Sequence, residues 1–275
     1  MAGFFKTGLP SIFRKSESGK PDAGALARHF SAPVERQLPP PLPEPEPIPA
    51  VIRATKPAPP KPTLRSKLLF AFDGTWSREP AWQTAIPLTD SLLGALPDQL
   101  DVALAVHGGS RVHTFTPFTS NASKLRDRAA AVRCMAGETR LLPILERVLK
   151  IKDVTTVIYI GDTFEESERQ GRKYADALRA HGTRLIILHD YWPGTFSNEK
   201  GILAEMAARS GGTILPFDAS ALPKLRELVS AIAVLAVGDV SALAEKEETM
   251  PGARLLLEGL ADSKQLLIGG KSGAR

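Results

Sequence analysis

The chain has 275 residues, 43% of them apolar and 24% charged, with a formal net charge of +5 and a single cysteine, Cys134. That content supports one sizeable core in one or two domains, excludes an internal disulfide framework, and leaves no sulfur cluster for structural zinc. The positive charge belongs to the ends: residues 67–262 hold 22 Lys/Arg against 25 Asp/Glu, so the folded unit is mildly acidic and no specific nucleic-acid binding is expected.

Residues 1–63 contain 14 of the 23 prolines, among them Pro39, Pro40, Pro41, Pro43, Pro45, Pro47 and Pro49. Prolines at that density remove amide donors and favour extended backbone, so a disordered proline-rich leader is expected. It suits a linker, or a ligand for a proline-recognising protein or an acidic surface. The first fifteen residues mix Phe4, Phe5, Leu9, Ile12 and Phe13 with Lys6, Arg14 and Lys15, without the continuous apolar stretch of a signal peptide. No run of 18 uninterrupted apolar residues occurs, so no transmembrane segment is expected, and the cysteine usage fits a reducing, cytoplasmic compartment.

The folded domain is expected over 64–262, with 263–275 a flexible basic tail. Leu68 to Phe72 lack polar alternation and predict a strand covered on both faces, as in a parallel sheet. Trp82–Leu96 has helical spacing that Pro87 disturbs. Asp101–Val106 and Val112–Phe118 predict two strands joined by a turn at His107, Gly108 and Gly109, an antiparallel pair at the sheet edge. Leu125–Met135 and Leu141–Lys150 predict helices, the second with Pro143 in its first turn. Val154–Ile160 is a β-branched strand, and Glu165–His181 an amphipathic helix stopped by Gly182. Arg184–His189 reads as a buried strand, Glu199–Arg209 as a helix, Thr213–Pro216 as a short strand, and Ala221–Val237 as a buried helix followed by further helix. Strands alternating with helices predict a three-layer, doubly wound, mostly parallel sheet with an antiparallel edge strand.

In such a sheet the carboxyl ends of the strands hold the ligand site. Three polar clusters fall there: Asp73, Thr75 and Ser77 after the first strand, Thr139 in Gly137-Glu138-Thr139, and Asp162 after the strongest strand. Two carboxylates and three hydroxyls suit a hard, six-coordinate cation such as Mg²⁺. The alternative for the first cluster is an Asp-Gly turn whose hydroxyls cap the next helix. Glu165 and Glu166 read as solvent-facing first-turn residues of a helix. Tyr191 and Trp192 suit either a partner contact or core packing. His107, His113 and His189 lack the spacing of zinc ligands, and Cys134 reads as a small buried side chain.

In these motifs the chain resembles the von Willebrand factor A-like domains, which include the integrin inserted domain. Their metal-ion-dependent adhesion site carries Asp-x-Ser-x-Ser after the first strand, a Thr between helices, and an Asp after the fourth strand. Asp73, Thr75 and Ser77 match the first, with Thr for the middle Ser; Thr139 matches the second and Asp162 the third, where Thr163 replaces the usual Gly. Cys134–Thr139, Gly161–Glu166 and Leu225–Gly238 look like elements of a bacterial subgroup. The resemblance implies that Asp73, Thr75 and Ser77 hold Mg²⁺ (or Mn²⁺ or Ca²⁺), that Thr139 joins in one state, and that Asp162 acts through water. A partner's Glu or Asp then fills the sixth position, giving a non-catalytic, cation-dependent protein-binding module.

Two other readings are a divergent metal-dependent hydrolase or phosphatase using Asp73 and Asp162, and a scaffold with a vestigial metal site. Phe72-Asp73-Gly74-Thr75 also looks like haloacid-dehalogenase-type phosphatases, but Ala71 stands where their nucleophilic Asp belongs and cannot form the phospho-enzyme. No Gly-x-Ser-x-Gly elbow occurs, and the Gly108-Gly109 and Gly211-Gly212 pairs read as turns, with no Walker-type lysine after them.

Overall fold

The computed structural model describes residues 65–95, 99–190 and 198–269, all within the second of two units, 1–56 and 57–275. The expected disordered leader, Tyr191 and Trp192 lie outside the described residues.

Six strands form one sheet: β1 (Ser66–Asp73), β2 (Leu100–Gly108), β3 (Arg111–Phe115), β4 (Val154–Gly161), β5 (Arg184–His189) and β6 (Ile214–Pro216). Their order is β3-β2-β1-β4-β5-β6, with β3 antiparallel to β2 and every other pairing parallel. Eight helices accompany them among the described residues: α1 (Glu79–Ala85), α2 (Leu88–Ala95), α3 (Ala122–Ala130), α4 (Leu142–Val148), α5 (Glu168–His181), α6 (Asn198–Ser210), α7 (Leu222–Ala244) and α8 (Pro251–Gly269). This is the predicted three-layer, mostly parallel α/β fold with its antiparallel edge.

The period of two along β1 builds both layers. Leu68, Phe70 and Phe72 face a core shared with α1, α2, α7 and α8, whereas Leu69 and Ala71 face one shared with α4, α5 and α6. Trp82 of α1, fully buried, tilts over Phe72 with ring centroids 4.6 Å apart. That contact pins α1 against the strand end where Asp73 emerges.

Local chemistry sets the helix ends. Pro87 divides the expected Trp82–Leu96 helix into α1 and α2. Asn121 Oδ1 accepts from the Lys124 amide at 2.9 Å, starting α3. Gly182, at φ 81°, closes α5 in a left-handed cap. Within α7, Asp239 leaves helical geometry at φ 70°, and its Oδ1 accepts from the Ser241 amide at 2.7 Å, restarting the helix. That helix is long and apolar enough to cross a membrane by length and composition, and here Leu225, Leu228, Val229 and Ile232 lie in the core.

Four expectations are corrected. His107 and Gly108 belong to β2, and the turn is Gly109–Ser110, because pairing with β3 continues to Gly108↔Arg111. Glu165 and Glu166 precede α5, whose N-cap is Ser167. Cys134 is half-buried and lies beyond the end of α3, which stops at Ala130. The domain does not end at 262: α8 runs to Gly269, and Ser263 is buried with its hydroxyl 3.0 Å from Thr213 Oγ1.

Candidate metal centre

The chain leaves β1 toward β2 on one side of the sheet and reaches β4 on the other, so the crevice between β1 and β4 is the topological switch point. Asp73 ends β1 there and Asp162 directly follows β4. Asp73 is 0% exposed. Its Oδ1 accepts from the Thr75 amide at 3.0 Å, while Oδ2 is buried and has no hydrogen-bond partner among the described residues. Desolvation pushes the Asp73 carboxyl up to about 6; the Thr75 amide opposes that rise and the charge of Asp162 adds to it.

The loop after Asp73 is tied down on two sides. The Gly74 amide donates to the His107 carbonyl at 2.7 Å, and the Gly74 carbonyl accepts from the Met135 amide at 2.8 Å. A Cβ at Gly74 would stand 2.5 Å from Val106 Cγ1, so only glycine permits this approach. Thr75 Oγ1 and Ser77 Oγ lie 3.5 Å apart, with exposed Trp76 between them in sequence. Asp73, Thr75 and Ser77 therefore share one fixed loop, with Asp162 electrostatically coupled to Asp73.

Thr139 is held differently. Its amide donates to Glu165 Oε2 at 2.7 Å and its hydroxyl accepts from the Glu165 amide at 3.1 Å. Glu166 Oε2 accepts from the Leu142 amide at 2.9 Å, occupying a free donor in the first turn of α4. These two carboxylates thus lace the 137–142 segment to the end of β4. Thr139 makes no hydrogen bond to the Asp73 loop.

Sequence reasoning places Asp190 on this edge but misses the parts that Arg78, His107 and Tyr159 play in it. Arg78, whose side chain is 8% exposed, directs Nη1 to Asp162 Oδ2 at 3.2 Å and Nη2 to Asp190 Oδ2 at 2.5 Å. The guanidinium therefore bridges the ends of β4 and β5. His107 is paired across from Asp73, with Nδ1 3.8 Å from Asp73 Oδ1 and Nε2 3.1 Å from the Tyr159 hydroxyl. Burial pushes His107 down to about 3, so the imidazole is neutral at neutral pH and the 3.8 Å approach is not an ion pair. Burial, with Asp73 and Asp162 adding, raises Tyr159 well above the usual phenol range. The available signals were position alone: Arg78 one residue beyond the Asp73–Ser77 loop, and Asp190 one residue beyond a strand.

Among the described residues, no group of three or more His, Cys, Asp or Glu side chains is arranged to hold a metal. The donor set is instead mixed carboxylate and hydroxyl oxygen, and the unpartnered Asp73 Oδ2 fits a hard cation.

No family model matches the sequence, and no curated protein does. Solved structures do match in fold. The von Willebrand factor type A protein from Catenulispora acidiphila gives a TM-score of 0.50 at 14% identity, over 62% of this chain and 43% of that one. Proximal thread matrix protein 1 from the mussel byssus, solved with a zinc-occupied MIDAS motif, gives 0.50 at 16% identity, over 62% of this chain and 46% of that one. This chain spans less than half the length of either. With its strand order and antiparallel edge, the described domain has the von Willebrand factor A-like fold.

Proposed function

We propose that this chain is a non-catalytic protein-interaction module that depends on a divalent cation, Mg²⁺ or else Mn²⁺ or Ca²⁺. Asp73, Thr75 and Ser77 would hold the ion, with Thr139 and Asp162 completing the set. The observation that carries the reading is Asp73 Oδ2, a buried carboxylate oxygen at the switch point without a hydrogen-bond partner among the described residues. Leaving such a group bare costs about 1–3 kcal/mol. Thr139 retains a spare lone pair, because among the described residues its hydroxyl accepts from the Glu165 amide alone.

When bound, the ion supplies a positive centre open to an outside oxygen. The chain's own residues fix the loop, exclude water from Asp73 and keep His107 neutral behind it. A partner's carboxylate suits the open position, and Trp76, 73% exposed on the same loop, offers an apolar contact beside it. Support comes from the mixed oxygen donors and from the MIDAS motif of the mussel protein. Ala71, fully buried in the core, provides no nucleophile. The reading keeps α7 as a core helix and the protein in the cytoplasm.

Thermal melting with and without millimolar Mg²⁺ tests the site. Mg²⁺ should raise the Tm, and Asp73→Ala should abolish the rise. No shift with Mg²⁺, Mn²⁺ or Ca²⁺ sinks the cation, and partner capture that survives EDTA unchanged sinks cation-dependent binding.

A further inference from the structure

Arg78 gives the edge its own cation. Its guanidinium is buried, bonded to Asp162 and to Asp190, and close enough to Asp73 for its charge to act there. Three carboxylates and one guanidinium leave the edge with net negative charge and one buried oxygen, Asp73 Oδ2, without a partner among the described residues. An arginine does not lose its proton in a protein, so its charge leaves the edge only if the side chain moves. Asp162, the carboxylate that the resemblance assigns to the ion's water shell, is one of the two that Arg78 engages.

Resting on the cation site proposed above, we infer that Arg78 is a built-in competitor of the divalent cation. Without the ion, the guanidinium holds Asp162 and Asp190 together and keeps the strand ends closed. Binding of the ion and the Arg78–Asp162 contact oppose one another, since both draw on the same carboxylate and both carry positive charge. Arg78 therefore sets the cation concentration at which the edge becomes competent to accept a partner's carboxylate. The two-pronged contact matters as well as the charge. Planar guanidinium donors reach two carboxylates from different strands at once, which a lysine ammonium does with less geometric fixity.

The test is Mn²⁺ binding to the full chain, measured by calorimetry for wild type, Arg78→Gln and Arg78→Lys, with circular dichroism to verify the fold. Removing a unit charge close to a divalent ion strengthens binding roughly tenfold or more, even at an effective dielectric near 20 and after screening. Arg78→Gln should thus bind Mn²⁺ at least about tenfold more tightly, while charge-retaining Arg78→Lys stays much nearer wild type. An Arg78→Gln affinity equal to or weaker than that of a Mn²⁺-binding wild type overturns the inference and leaves the cation site standing. No Mn²⁺ binding by any of the three overturns both. A measurement on wild type needs no substitution: the Arg78 guanidinium resonances should lose their restriction as Mg²⁺ is added. Restriction that persists at saturating Mg²⁺ overturns the competition.

Discussion

His107 Nδ1 stands 3.8 Å from Asp73 Oδ1, and both side chains are buried. Burial acts on them in opposite directions, holding the imidazole neutral and raising the carboxyl. The other ring nitrogen, Nε2, shares a 3.1 Å hydrogen bond with the Tyr159 hydroxyl, so the buried imidazole is held between the carboxylate and the phenol.

This pair predicts opposing pH dependences. Asp73 titrates near 6 when folded, above its unfolded value near 3.8. The folded state therefore binds the extra proton, and this stability is fully present below about 4 and lost as pH rises through about 6. His107 is depressed from 6.5 to about 3, so its contribution is present above 6.5 and lost as pH falls toward 3. Each slope is about 1.4 kcal/mol per pH unit where one state holds the proton and the other does not. In metal-free buffer, urea denaturation of Asp73→Asn should show steeper acid destabilisation than wild type between pH 6 and 4, and His107→Gln the reverse. Identical pH profiles for all three proteins would refute the assignment.

Gly74→Ala should destabilise the domain by about 1–3 kcal/mol, the usual cost of overpacking. The new methyl meets Val106 Cγ1 and lies 2.9 Å from the His107 carbonyl oxygen, which the Gly74 amide needs. The Mg²⁺-dependent rise in Tm should shrink as well, because the loop carrying Thr75 and Ser77 shifts. A variant as stable and as Mg²⁺-responsive as wild type counts against the tight-loop account.

Glu165→Ala and Glu166→Ala should each cost about 1 kcal/mol, the usual value of a cap. The Thr139 and Leu142 amides lose their respective acceptors. Hydrogen exchange should accelerate at Thr139 in the first variant and at Leu142 in the second. Unchanged protection would mean that the two carboxylates do not lace the segment.

Cys134 should resist alkylation. Burial and the neighbouring Glu79 push its thiol up to about 12, so almost no thiolate exists at pH 8. Iodoacetamide should label the folded protein far more slowly than the urea-unfolded chain, and equal rates would show an accessible, ordinary thiol.

Trp76→Ala should change stability by less than about 0.5 kcal/mol, since the ring is exposed. It should nevertheless weaken partner capture in Mg²⁺. Retained capture would remove the indole from the binding surface.

The sequence alone determined the layering. Apolar runs in β1, β4 and β5 have one stable use, a parallel sheet covered on both faces, and the β2–β3 hairpin followed from its short turn. It also put Asp73, Thr75 and Ser77 on one loop, since residues two apart on a strand-end turn need no tertiary contact to be neighbours. Long-range pairing decided everything that makes the edge specific. Arg78 reaches carboxylates 84 and 112 residues away, Thr139 and Glu165 are 26 apart, and His107 and Tyr159 are 52 apart. No periodicity encodes such contacts, because they arise from strand order and from burial that strips water from charged groups. The sequence supplied the carboxylates and hydroxyls of Asp73, Thr75, Ser77 and Asp162, and the folded sheet placed a guanidinium beside Asp162.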